Sequence, residues 1–338
     1  MKKLLSDPTN QRTASFLLLT LLLILLFSVL NPRFMTVNNM TTILRNMTPV
    51  GFAALGLTFV IVVRKFDLSF EGSISFGAMF VAFLIMSGFN PWVAVPLGML
   101  GGLVVGMMNG IAISYLRLPD IVTTIAVGAV VGGASYWFSN GKDIFRNFFS
   151  SGILTLNNGK LFGVSYATIF LIFAYVIAFV FLHKTRWGRS FYATGEYPVA
   201  AKYSGINVRL YVAVAFVISG VLMVCASTVL ISAGGKGEVG AGEGYMLATY
   251  AAVLLGAAIF SRPGILPTSA GVLLIAIVSN GLTLAGVDNL SHNAVIAGIL
   301  IFGVIAFDSK IRGSLSNRIR NGLGLRRPAT NSKIQEAS

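Results

Sequence analysis

An all-α polytopic membrane protein, with about ten transmembrane helices in two inverted five-helix repeats, is the fold this sequence predicts. Three observations carry it. The 338 residues are 55% hydrophobic and 11% charged, with a mean hydropathy of +0.82, whereas a soluble globular chain is about a quarter charged. The apolar residues come in runs of about the twenty needed to cross a bilayer. Several residues of the first half recur in the second at a common shift.

The spans fall at about 14–31, 44–63, 72–88, 92–114, 121–138, 165–182, 211–232, 246–260, 268–287 and 292–307, the eighth being short. The first run lacks a small-residue cleavage site and meets Asn31-Pro32, so it reads as a retained span within 14–310, after a short 1–13 amino terminus. With that terminus inside, the cytoplasmic segments collect Lys2, Lys3, Arg12, Arg64, Lys65, Arg117, the central basic loop, Arg262 and the basic tail 311–338 with Lys310. Only Arg33, Arg45, Lys142, Arg146, Lys160 and Lys236 are left outside. That bias puts both termini in the cytoplasm, as expected of a protein of the bacterial inner membrane. The tail beyond about Ser314 reads as poorly ordered.

Pro96 leads after twelve residues to Asn109-Gly110, and Pro267 after twelve to Asn280-Gly281. The same shift lays Ile125-Ala126 on Ile296-Ala297 and Asp67 on Glu238, and one residue of slippage lays Glu71-Gly72 on Glu243-Gly244. Each half holds five spans. An odd number makes the second copy enter from the opposite side, an architecture of transporters with the pathway between the copies.

The net charge of +14 does not point to nucleic acid, because the basic residues cap apolar runs and face lipid. One cysteine, Cys225, excludes an internal disulfide framework, and His183 and His292 lie apart, so no metal site is expected. No Ser/His/Asp or Cys/His set and no paired carboxylates in one span suggest an enzyme.

Polar residues near span starts are the candidates for a pathway. In Arg64-Lys65-Phe66-Asp67-Leu68-Ser69-Phe70-Glu71, Asp67 and Ser69 could cap the third span and Glu71 favour its first turn. The alternative is a broken helix end with Glu71 facing a polar cavity. The Gly-rich stretch from Gly234 to Tyr245 carries Lys236, Glu238 and Glu243, as either a flexible outer loop or a gate. It has no phosphate-loop pattern. Asn109 and Asn280 are either helix–helix glue or pore-lining groups. The pathway set is therefore Asp67, Ser69, Glu71, Asn109, Glu243 and Asn280. If the transporter were driven by an ion gradient, Glu71, Glu238 or Glu243 would be its coupling group.

The loop at 183–210 is basic, with Lys184, Arg186, Arg189, Lys202 and Arg209 against Glu196 alone. Pro198 as a first-turn residue and Gly205 as a stop predict a short amphipathic helix at the membrane surface, with Val199, Ala200 and Tyr203 near one face. The pattern Thr185-x-x-Gly188-Arg189-x-x-Tyr192-Ala193-x-Gly195-x4-Ala200-Ala201-x3-Gly205-Ile206-Asn207-Val208 resembles the membrane permeases of ABC importers for ribose, xylose, arabinose, galactose and related sugars. Asp67-Leu68-Ser69, Asn109-Gly110, Ile121-Val122-Thr123, Asn140-Gly141, Asn280-Gly281-Leu282-x-Leu284 and Asp308 extend the resemblance over about 35–310.

The resemblance implies a permease subunit that pairs with a second copy or a paralogue. It also implies two cytoplasmic ABC ATPases and an extracytoplasmic solute-binding protein. ATP and Mg2+ would sit in the partner ATPase, with no cofactor in this chain. Thr185, Gly188, Arg189, Gly195, Ala200, Ala201 and Gly205 would form the coupling helix that meets the ATPase. The family has Gly-Gly-Ile-Asp-Leu-Ser-Val-Gly where this chain has Arg64 to Glu71, and a Gly-Gly-rich turn where it has Ser261-Arg262-Pro263-Gly264. Those changes set charge near the gate and loosen the assignment to sugar. An ion-driven secondary transporter and a branched-chain amino-acid-type ABC permease are the alternatives.

Overall fold

The computed structural model describes residues 8–307; the tail at 311–338 lies outside them. Helices dominate: α1 (Pro8–Leu30), α2 (Val37–Val62), α3 (Phe70–Met86), α4 (Pro91–Ser114), α5 (Asp120–Ser135), the single turns α6 (Phe148–Ser151) and α7 (Thr155–Asn158), α8 (Tyr166–Lys184), α9 (Arg186–Glu196), α10 (Pro198–Tyr203), α11 (Val208–Gly234), α12 (Tyr245–Phe260), α13 (Ile265–Leu284) and α14 (Asn289–Phe307). A two-residue hairpin, β1 (Lys160–Leu161) with β2 (Val164–Ser165), precedes α8.

Local chemistry sets the starts. Thr36 accepts a hydrogen bond from the Asn39 N–H, Asn90 from the Trp92 N–H ahead of Pro91, Ser165 from the Thr168 N–H and Asn207 from the Leu210 N–H. Gly235 closes α11 with φ +68° and returns its N–H to the Ile231 carbonyl.

Six helices among the described residues are long and apolar enough to cross a membrane: α2, α4, α5 with its 3-10 extension to Phe138, α8, α11 and α13. The apolar cores of α1, α3, α12 and α14 are shorter. The protein is thus an all-α multi-pass membrane protein. Its centre is α2 against α11, whose apolar windows are 72% and 61% buried, whereas those of α4, α5 and α8 are only 28% buried. The latter turn Leu100, Val104, Val122, Val130, Phe173 and Ile177 outward, as helices bathed in lipid do.

Glycine lets two of these helices approach closely. Gly98, Gly102, Gly106 and Gly110 recur every fourth residue on α4. A methyl on Gly106 would lie 2.5 Å from the Phe216 carbonyl oxygen of α11, and one on Gly102 would strike the Gly220 carbonyl.

The helix pairs repeat. The shift that carries Pro96 onto Pro267 carries Val37, the first residue of α2, onto Val208, the first of α11. Helix α11 packs on α4 as α2 packs on α13; α3 on α5 as α12 on α14; α3 on α4 as α12 on α13; and α11 on α3 as α2 on α12. Both short helices, α3 and α12, follow irregular connections, 63–69 and 235–244.

Candidate functional site

The connection between α8 and α11 holds two helices rather than the one expected from Pro198 onward. Thr185 starts α9 by accepting from the Gly188 N–H at 3.2 Å and donating to the Phe181 carbonyl. Gly188 lies so close to the Leu182 carbonyl, and Gly195 to the Val62 carbonyl, that no side chain fits at either place. Phe191 is buried among Phe59, Phe181 and Tyr211. Tyr192 donates to the Pro263 carbonyl at 3.1 Å, and burial raises its phenol, which keeps the donating proton in place. Helix α9 is therefore clamped on the ends of α2, α8 and α11.

Helix α10 stands out from that clamp. Only Ala201 is buried; Tyr197, Val199 and Tyr203 are 70%, 68% and 88% exposed. Of the seven expected coupling residues, Thr185, Gly188, Gly195 and Ala201 face inward and build the element, while Arg189, Ala200 and Gly205 are exposed. Gly205 has φ +80°, which ends α10 as anticipated. An apolar face left exposed beside Arg186, Arg189 and Lys202 suits a protein partner.

The second locus is the start of α3. The connection 63–69 folds against α5, α11 and α12, and every N–H from Arg64 to Ser69 is paired. Arg64 and Lys65 donate to the Ile61 and Val60 carbonyls, Phe66 to Asp120 Oδ2 (3.0 Å), Asp67 to the Tyr250 hydroxyl (3.1 Å), Leu68 to Thr124 Oγ1 (3.0 Å) and Ser69 to Asp67 Oδ1 (3.0 Å). The Tyr250 hydroxyl in turn donates to the Asp67 carbonyl at 2.7 Å.

Asp67 is 3% exposed. Its carboxylate accepts from the Ser69 hydroxyl at 2.5 Å and from Ser219 on α11 at 2.9 Å, while Asn109 donates to Ser69 Oγ at 3.0 Å. Three of the expected pathway residues, Asp67, Ser69 and Asn109, thus form one buried polar knot rather than a lining. Ser69 occupies the cap position of α3, but its hydroxyl turns back to Asp67 instead of capping the helix. Ser219, Thr124, Asp120 and Tyr250 complete the arrangement. Tyr250 lies 183 residues from Asp67 in the chain, and nothing in its apolar surroundings signals the pairing.

Glu71 and Glu243 line one cavity at the same junction. Glu71 Oε1 accepts from the Gly244 N–H at 3.2 Å, one residue before α12 begins, and Ser75 Oγ accepts from the Gly242 N–H at 3.1 Å. The starts of the two short helices therefore abut. A cavity of about 300 Å³ opens there, lined by Glu71, Ser75, Gly128, Tyr136 and Glu243 among others. Asn280 is elsewhere: it exchanges two amide hydrogen bonds with Asn39 of α2, at 2.9 and 3.0 Å, and so acts as helix–helix glue.

Lys236 bonds Asp143 at 2.7 Å and Glu238 at 3.3 Å, and Gly237 bridges Ile144, so 235–244 is tied to the 136–165 connection rather than loose. The hydrogen bond to Asp143 raises the ammonium above its ordinary value, so it is charged at neutral pH.

Residues 39–305 match the family model described as the branched-chain amino acid transport system / permease component. The chain is 34% identical over 311 residues, 91% of its own length and 96% of the relative's, to the ribose import permease protein RbsC of Bacillus subtilis (strain 168). It is 28% identical over 288 residues (83% and 86%) to the autoinducer 2 import system permease protein LsrD of Photorhabdus laumondii. It is also 28% identical over 300 residues (86% and 89%) to the D-allose transport system permease protein AlsC of Escherichia coli K12. No solved structure matches it. A membrane-embedded helical bundle, an exposed helix between its two halves and a match over nearly its whole length together give one conclusion: the chain belongs to the family of branched-chain amino acid transport system permease components, alongside sugar-import permeases.

Proposed function

We propose that this chain is the transmembrane permease subunit of an ATP-binding-cassette importer, moving a sugar or a related small polar solute handed over by an extracytoplasmic binding protein. The observation that carries the reading is α10, an exposed apolar helix mounted on a clamp made from the ends of α2, α8 and α11. A partner that pushes on it moves the central helices. The solute class follows the ribose, autoinducer 2 and allose permeases among its relatives.

In this reading ten helices span the bacterial inner membrane as two inverted repeats of five, with both termini and α10 in the cytoplasm. The paired packing of α2 with α11, and of each half's helices across that pair, supports it. Two ABC ATPases, which hold the ATP and Mg2+, bind two permease chains at α10. The pathway runs past the abutting starts of α3 and α12, where Glu71 and Glu243 line the cavity. ATP binding closes the ATPases, α9 carries the motion to α2 and α11, and the bundles rock about the junction. This chain breaks no bond in the solute.

The test is reconstitution. Purified chain in proteoliposomes should take up solute only with its ATPase, its binding protein and ATP. Uptake by the chain alone under an imposed proton or sodium gradient would replace the proposal with an ion-driven transporter. The acidic pair at the junction is the observation that would then gain weight.

A further inference from the structure

A second cavity shares no lining residue with the one at the start of α3. It encloses about 810 Å³ between α4 and α8, with Phe52 of α2 and Cys225 of α11 in its wall and the 151–156 segment at one end. That volume is in the range of small-molecule sites, roughly 300–1,000 Å³. Its lining is mostly apolar, and three of its polar side chains are engaged within the chain. Thr228 donates to the Val224 carbonyl, Ser151 donates to the Phe148 carbonyl and accepts from the Ile153 N–H, and Asn90 accepts from the Trp92 N–H. A mostly apolar lining suits a hydrocarbon better than a sugar, which needs convergent donors and acceptors.

The surroundings identify what fits. Beyond the cavity, α4 and α8 continue as outward apolar faces, with Leu100, Ile172 and Phe173 more than half exposed, so the cavity adjoins the hydrocarbon of the bilayer. Trp92 and Tyr166 stand at the starts of those two helices and in its lining, the residue types that sit at headgroup level. Exposed Lys160 adjoins Leu161 in the wall at the same end.

We infer that this cavity binds the acyl chain of a membrane phospholipid, inserted from the end marked by Trp92 and Tyr166 and reaching Cys225. A chain lodged there packs directly on α11, the helix that joins the exposed α10 region to the 235–244 connection. The inference rests on the membrane-embedded fold and stands whichever energy source drives the protein.

The experiment places the full-length protein in nanodiscs of phospholipid carrying a photoactivatable diazirine on the acyl chain, followed by mapping of adducts by mass spectrometry. Adducts on Cys225, Val95 or Ile169, beside those on outward Phe173, are expected. Ile169→Trp, which fills the cavity, should abolish the inner adducts and keep those on Phe173. Adducts confined to outward residues, or inner adducts indifferent to Ile169→Trp, would overturn the inference. Should that variant not fold, the unaltered chain decides. Its single thiol should react with a membrane-permeant maleimide more slowly in phospholipid nanodiscs than in delipidated detergent, and equal rates would refute acyl occupancy.

Discussion

Residues near the coupling element divide by the direction they face, and that division separates two kinds of variant. Tyr203 is 88% exposed and touches little of its own chain. Tyr203→Asp should therefore leave thermal unfolding in detergent nearly unchanged, within about 0.5 kcal/mol, while co-purification of the ATPase is lost. Gly195→Val should do the reverse first, because its side chain would strike the Val62 carbonyl and lift α9 off α2; overpacking of this kind costs about 1–3 kcal/mol. If Tyr203→Asp binds the ATPase normally, α10 is not the docking helix. A second residue-scale prediction concerns Arg64, which is exposed and has φ +55°, at a position where the family resemblance implies glycine. A left-handed conformation costs a non-glycine residue about 1–2 kcal/mol. Arg64→Gly should raise the unfolding midpoint, and a lower midpoint would show that the guanidinium compensates for the strain. The sequence marked Arg64 as a departure and Asp67 as a charge near a span start. It could not reveal that Asp67 is buried, because the groups that make burial tolerable, Ser219 and Tyr250, come from helices far along the chain.

Elements were the most legible level. Apolar runs of spanning length need only composition, and most helices start and stop within three residues of the expected spans, though α1 and α2 begin six and seven residues earlier, in polar sequence. The turn residues Pro198 and Gly205 located α10. Helix α9 was not anticipated, because its stabilising contacts are tertiary: Phe191 enters an aromatic cluster, and two glycines meet carbonyls of other helices. The four-residue glycine spacing on α4 is visible in the sequence, but its partner is not. Packing identifies it as α11, and a test follows. Gly106→Val should prise α4 from α11, costing about 1–3 kcal/mol in overpacking and lowering the yield of monodisperse protein. Gly133→Ala on α5, with nothing within 4 Å of the added methyl, should be neutral. Equal tolerance of both would mean that the close α4–α11 approach does not hold the bundle together.

At the scale of the whole molecule the question is how two halves of like sequence are disposed across the bilayer. Helices α2 and α11 start at corresponding residues and pack against one another, and each packs on the other half's proline-bearing helix. Such exchange needs a two-fold relation. On the proposed five spans per half, that axis lies in the membrane plane, because an odd number of crossings delivers the second copy from the opposite face. In that proposed arrangement the abutting starts of α3 and α12 would be two half-helices entering from opposite sides, with their positive ends toward the cavity of Glu71 and Glu243. The sequence indicated the repeat through Pro96 and Pro267, but not this meeting, which depends on both irregular connections folding inward. Corresponding positions should therefore face opposite compartments. In a Cys225→Ser background, Val37→Cys, at a site 79% exposed, should react in intact cells with a membrane-impermeant thiol reagent. Arg209→Cys, also exposed, should react only once the membrane is opened. If both label from the same side, the number of crossings between α2 and α11 is even. The halves would then be parallel repeats, and the two short helices would enter from one face, leaving the acidic cavity as a vestibule rather than a midpoint.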